Sequence, residues 1–96
     1  MPFAIVLAPE AIEDLKRLRV TARGTVKDAM ERHLRHEPEK ISRSRIKRLR
    51  GLSRPQYRLR VGDIRVFYDV ADGVVEVLAI VPKSETEAWL AQFGKL

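Results

Sequence analysis

The chain has 96 residues, 45% of them hydrophobic and 33% charged, with no cysteine and a net charge of +6. That is the size of one small domain over residues 1–96, with a single core burying roughly 60–65% of the unfolded surface. Disulfides, thiol catalysis and cysteine metal sites are excluded. With no apolar run near the ~20 residues of a membrane span and no basic stretch ahead of the apolar start, a cytoplasmic protein outside any membrane is expected.

Phe3–Leu7 is a short apolar run with β-branched members and reads as a strand. Pro9 suits a first helical turn, and Glu10, Glu13 and Asp14 suit the positive end of a helix. Ala11, Ile12, Leu15 and Leu18 recur at helical spacing, which predicts a helix over 9–19. Thr21 is the expected N-cap of a second helix with the apolar stripe Val26, Ala29, Met30, His33 and Leu34, ended by Pro38. On that stripe His33 is expected in the core. The short link makes the two helices an αα-hairpin. Residues 38–55 are polar, basic and broken by Gly51 and Pro55, and Ile46 with Leu49 or Leu52 can dock them on the core.

The period then changes to two. Tyr57, Leu59 and Val61 alternate with Arg58 and Arg60, and Gly62-Asp63 puts glycine first, as a type II′ hairpin turn requires. Ile64, Val66 and Tyr68 alternate with Arg65, Phe67 and Asp69, Asp72-Gly73 makes a second tight turn, and Val74–Val81 is the last strand. Ser84 and Glu87 fit a capping box for a short terminal helix carrying Ala88, Trp89 and Phe93, with Gly94 as its stop. The expected fold is α+β: an N-terminal strand and helical hairpin on an antiparallel sheet with a β-meander, and a short C-terminal helix.

Two-residue turns place Arg60 opposite Arg65, Arg58 and Leu78 opposite Phe67, and Ile80 opposite Arg65. One sheet face then holds Tyr57, Leu59, Val61, Ile64, Val66, Tyr68, Val77, Ala79 and Val81 against the helices. The other carries Arg58, Arg60 and Arg65 among Phe67, Leu78 and Ile80. Charge follows the same division. Residues 40–65 hold ten bases and one acid, whereas the rest of the chain is net acidic by three. Arginine outnumbers lysine 13 to 6, and guanidinium forks match phosphate geometry. A basic belt on an acidic body points to a polyanionic partner. An opposed Arg–Arg pair costs a few tenths of a kcal/mol or more, which a bound polyanion removes. The alternative is that these arginines pair with Glu76, Asp69 or Glu85.

The run Ile46-Lys47-Arg48-Leu49-Arg50-Gly51-Leu52, followed by Tyr57-Arg58-Leu59-Arg60-Val61-Gly62-Asp63-Ile64-Arg65-Val66-Phe67-Tyr68, resembles the central signature of the RelE/ParE toxin superfamily. The order of elements is similar over nearly the full chain. The resemblance implies a small RelE-like fold and a toxin of a type II toxin–antitoxin pair, held in a hetero-oligomer by an acidic antitoxin. RelE-like members enter the ribosomal A site and cut mRNA there; ParE-like members inhibit DNA gyrase. Arg58 and Arg60 match the basic residues of the family's second strand, and Arg65 matches the third-strand arginine at the scissile phosphate. Lys83 stands where the family carries an arginine. Trp89 is nearest to the family's terminal tyrosine or histidine and cannot transfer a proton.

RNA cleavage through the 2′-hydroxyl needs a base at that oxygen, an acid at the leaving 5′-oxygen and stabilisation of the phosphate charge. Arg58, Arg60 and Arg65 suit the third task. Arginine does not deprotonate, so Lys83, with Asp63, Glu85 and Glu87 as carboxylate candidates, is left for the proton transfers. The expected function is a ribosome-dependent mRNA endonuclease without cofactor or metal. Its catalytic residues are Arg58, Arg60, Arg65 and Lys83, and its RNA-binding residues are Arg43, Arg45, Lys47, Arg48, Arg50 and Arg54. A gyrase inhibitor and a non-toxin nucleic-acid-binding domain are the alternatives.

Overall fold

The computed structural model describes residues 1–96. Strand β1 (Ala4–Leu7) leads into helices α1 (Pro9–Arg17) and α2 (Val20–Leu34). Strands β2 (Ile46–Arg48), β3 (Tyr57–Val61), β4 (Ile64–Ala71) and β5 (Val74–Pro82) follow, then a 3₁₀ turn (Lys83–Glu85) and helix α3 (Thr86–Phe93). The strands form one sheet in the order β1-β5-β4-β3-β2, antiparallel except for the parallel pair β1–β5.

Pro9 opens α1 as expected. The helix stops at Arg17, two residues early, because Leu18 and Arg19 are both extended and together reverse the chain. α2 therefore starts at Val20, and Thr21 lies inside it rather than capping it. The Ser84 capping box is not formed either. The 3₁₀ turn carries the chain away from β5 first, so Glu85 occupies the cap position of α3 and makes no side-chain cap bond. Within the basic stretch 38–55 the structure adds a strand the sequence pattern does not show. Ser42 Oγ accepts the N–H groups of Arg45 and Ile46, both at 3.0 Å, and starts β2 on the edge of β3.

Helices α1 and α2 cover one face of the sheet. Ala11, Leu15, Val26, Met30 and Leu34 pack there on Ile46, Leu59, Val66, Tyr68, Val75, Val77 and Ile80. α3 crosses the other face, where Phe67, Ala79 and Val81 are buried beneath Leu49, Trp89 and Leu90. Ala79 and Val81 thus lie on the side opposite to the one expected, and so does Ile80. A bulge at Leu78 explains the exchange: Tyr68 pairs with Val77 but Phe67 pairs with Ala79, so one residue of β5 has no partner and every later side chain changes face. Arg65 is consequently opposite Val81, not Ile80.

An α1 side chain holds the far side of this irregularity. β1 ends at Leu7, opposite Val77, so beyond that point β5 has no strand neighbour on the edge away from β4. Asp14 Oδ2 takes over, accepting the N–H of Ile80 at 3.0 Å. The carboxylate expected to serve the helix dipole serves the sheet edge instead.

Tyr68 ties the long α2–β2 connection to the core. It is fully buried, its ring stacks on Tyr57 with centroids 5.4 Å apart, and its hydroxyl donates to the Pro38 carbonyl at 2.6 Å. Burial pushes its pKa above the ordinary tyrosine range. Tyr68→Phe leaves the Pro38 carbonyl unpaired in the interior and is expected to cost ~1–3 kcal/mol. For a domain of this size that lowers Tm by roughly 4–8 °C per kcal/mol, measurable by thermal denaturation. An unchanged Tm would show that water replaces the phenol at Pro38.

Candidate nucleic-acid interface

The site begins with a turn. Gly62, at φ +58°, occupies the left-handed position that only glycine adopts without strain, and closes the β3–β4 hairpin in two residues. This locks the register: Arg60 faces Arg65, Arg58 faces Phe67, and on the neighbouring strand Lys47 faces Arg58. Opposed residues share a face, so four cationic side chains collect beside the apolar strip that α3 covers.

The buried member is Arg65, with 6% of its surface exposed. Its Nη1 donates to the carbonyl oxygens of Gly62 at 2.8 Å and Ile64 at 3.0 Å. Both acceptors are main-chain atoms of the hairpin, so the guanidinium is aimed without its charge being neutralised. Arg58 is half-buried and its Nε is shielded from solvent with no acceptor. Burial, together with the guanidinium groups of Arg65 and Arg60, holds the Arg58 pKa below the ordinary arginine value. The alternative pairing with acids does not occur. Asp69 and Glu76 are both taken by Arg54, at 3.4 and 3.3 Å, and no carboxylate lies within 4.0 Å of the cationic groups of Lys47, Arg58, Arg60, Arg65 or Lys83.

Lys83 follows β5 directly. Its N–H donates to the Asp63 carbonyl at 2.7 Å, which fixes it beside the hairpin turn. Asp63, Lys83, Ser84 and Glu87 line an open depression of about 630 Å³ there. Asp63, Lys83 and Glu87, three of the residues named as candidates for proton transfer, thus sit at the turn that also holds Arg65. Glu85 is not among them.

The model of the ParE toxin of type II toxin–antitoxin systems, parDE, matches residues 5–87. The chain belongs to that toxin family. Comparison with curated proteins returns no match. Solved structures share the RelE-like α+β fold. The RelBE2 toxin–antitoxin complex from Mycobacterium tuberculosis is 22% identical with a TM-score of 0.71, covering 85% of this chain and 99% of that one. A mutant of the E. coli toxin RelE in the free state is 24% identical, TM-score 0.68, covering 93% and 92%. The archaeal RelE–RelB complex from Pyrococcus horikoshii is 25% identical, TM-score 0.65, covering 86% and 97%.

The remaining basic residues of the toxin are dispersed. Lys47 joins the arginine face. Arg48 does not: it pairs opposite Tyr57, its guanidinium lies 5.2 Å from that ring's centroid, and its Nη1 donates to the Gln56 carbonyl at 3.0 Å. Arg54 is held by Asp69 and Glu76. Arg43 is exposed in the bend before β2 and Arg50 in the turn after it. Arg45 turns toward α2, where it lines a separate depression with Arg32 and His33. His33 does not pack in the core as expected: it is half-buried at that rim, and in the last turn of α2 the core is reached by Met30 and Leu34 instead. Trp89 lies flat on Phe67 with centroids 4.9 Å apart and planes 7° apart. No group of three or more His, Asp or Glu side chains is placed to hold a metal ion.

Proposed function

We propose that this toxin is a ribosome-dependent mRNA endonuclease, neutralised by an acidic antitoxin. The observation that carries this reading is the Arg58–Arg60–Arg65 cluster, preorganised on a rigid hairpin and without a carboxylate partner. Such a cluster is matched to a phosphodiester whose charge grows as a 2′-oxygen attacks it. In that step the O2′–P bond forms and the P–O5′ bond breaks, leaving a cyclic phosphate and a 5′-hydroxyl. The 2′-hydroxyl gives its proton to a base and the leaving oxygen takes one from an acid, and Lys83, Asp63 and Glu87 are the groups beside the cluster able to exchange protons. RNA of the ribosome itself would supply further phosphates for the cationic face. The similar structure from Mycobacterium tuberculosis is a toxin–antitoxin complex and that from Pyrococcus horikoshii a RelE–RelB complex, and an antitoxin partner in a hetero-oligomer is proposed here on that likeness.

Mapping mRNA ends on translating ribosomes tests the reading directly: new ends within occupied codons are expected, and growth arrest with intact mRNA would refute it. Binding should also be steeply salt-dependent. Each phosphate neutralised on a single strand contributes about −0.7 to the slope of log affinity against log salt, so three or four contacts give a slope of roughly −2 to −3. Co-sedimentation with ribosomes across a salt series measures it, and a flat profile would count against a phosphate-binding face. A second reading, inhibition of DNA gyrase, draws on the match to the ParE model over residues 5–87; a supercoiling assay separates it from the first.

A further inference from the structure

We propose that the toxin has a second phosphate-binding site on the helix side of the β2 edge, where Arg32, His33, Lys40, Ser42 and Arg45 receive the backbone of single-stranded RNA. This deepens the RNA reading above and rests on it. The five side chains line a depression of about 240 Å³ between the last turn of α2 and the segment entering β2. Glu37 is the one acid in it, and Lys40 engages that acid at 3.6 Å. Arg32 and Arg45 have no ion-pair partner. Ser42 Oγ holds the N–H groups of Arg45 and Ile46, so the backbone from which Arg45 projects is fixed before any ligand arrives. Burial and the guanidinium groups of Arg45 and Arg32 draw the pKa of His33 below its ordinary value. The positive field in the depression is therefore uncompensated, as on the arginine face.

The position of the depression selects the ligand. The Arg45 carbonyl accepts the N–H of Arg60 at 2.8 Å. The two cationic sites thus meet at a single edge strand, one on each side of it. Neighbouring strands lie about 5 Å apart, so a backbone that rounds β2 passes from one site to the other over a short path. A polynucleotide carries a charge at every step and can load both in turn, in the manner of the electropositive grooves that track single strands. Arginine forks favour paired phosphate oxygens over a lone carboxylate charge.

The test follows the His33 ring C–H resonance by NMR across a pH series, with His36→Gln to separate the two histidines. The probes are a short single-stranded RNA, inorganic phosphate and, separately, the antitoxin. With RNA the His33 pKa is expected to rise, because a bound phosphate offsets Arg32 and Arg45. Arg32→Gln and Arg45→Gln, both at the rim and away from the core, should each abolish the rise and make the salt slope shallower by about 0.7. Arg65→Ala should keep the rise, so loss of cleavage and loss of this site are told apart. A rise with RNA supports the site even if no mRNA is cut. A His33 resonance unmoved by RNA in a protein that does cut mRNA overturns it. A response to phosphate alone, meaning an adventitious ion only, or to the antitoxin alone overturns it as well.

Discussion

Arg65→Ala is expected to abolish both growth arrest and mRNA cleavage while the protein stays folded. The reason lies in how the side chain is held. Two carbonyl oxygens of its own hairpin fix one edge of the guanidinium, and three N–H donors are left for a ligand. A donor group set in place before the reaction needs no reorganisation when charge develops, and removing one such group typically costs about 10²–10³ in rate. Arg60→Ala should cost less, because Arg60 is exposed and Arg58 and Arg65 retain the field. Arg65→Lys should recover little, since it restores the charge without the fork. Single-turnover cleavage on programmed ribosomes reads the effect, and circular dichroism confirms the fold. Cleavage at the wild-type rate by folded Arg65→Ala would remove this face from the chemistry.

The largest loss of stability outside the central core is expected from Asp14→Ala. Asp14 is the acceptor for the Ile80 N–H where β5 runs past the end of β1, and it also pairs with Arg17 at 3.5 Å. The exposed ion pair contributes little. A hydrogen bond to a charged acceptor is worth about 1.5–3 kcal/mol, and its loss leaves a main-chain donor unpaired just past a bulge. A fall in Tm of roughly 10 °C is expected on that basis. Asp14→Asn, which keeps an acceptor oxygen, should recover much of it. Equal losses in the two variants would mean that the carboxylate charge matters more than the bond.

These two residues mark the range of what the chain discloses before it folds. Arg65 was legible because its register depends on a local device, the Gly62-Asp63 turn, and its strands alternate cleanly. β5 was not. Apart from Glu76 every residue from Val74 to Val81 is apolar, so period two carries no phase there, and the bulge that moves Ala79, Ile80 and Val81 leaves no trace in the pattern. β2 was hidden for a related reason. As a three-residue edge strand it buries Ile46 alone, and its exposed Lys47 and Arg48 read as loop. Arg54 stood in the basic belt by sequence, yet its partners Asp69 and Glu76 come from two other strands. Such long-range pairings answer to the tertiary fold, and so does the use of Asp14 to finish a sheet.

The parallel pairing of β1 with β5 joins residues 4–7 to residues 74–77. Contacts of such separation form late, after most of the loop-closure entropy has been spent. The first strand made thus waits for the last, and the Trp89 that covers Phe67 arrives later still. A stop codon or frameshift ahead of Val74 removes the partner of β1, the whole of β5 with its bulge and the covering helix together, so truncated alleles of this gene should yield unfolded, harmless products rather than weakened toxins. Selection for escape from the toxin can therefore act through a nonsense mutation at any codon ahead of Val74.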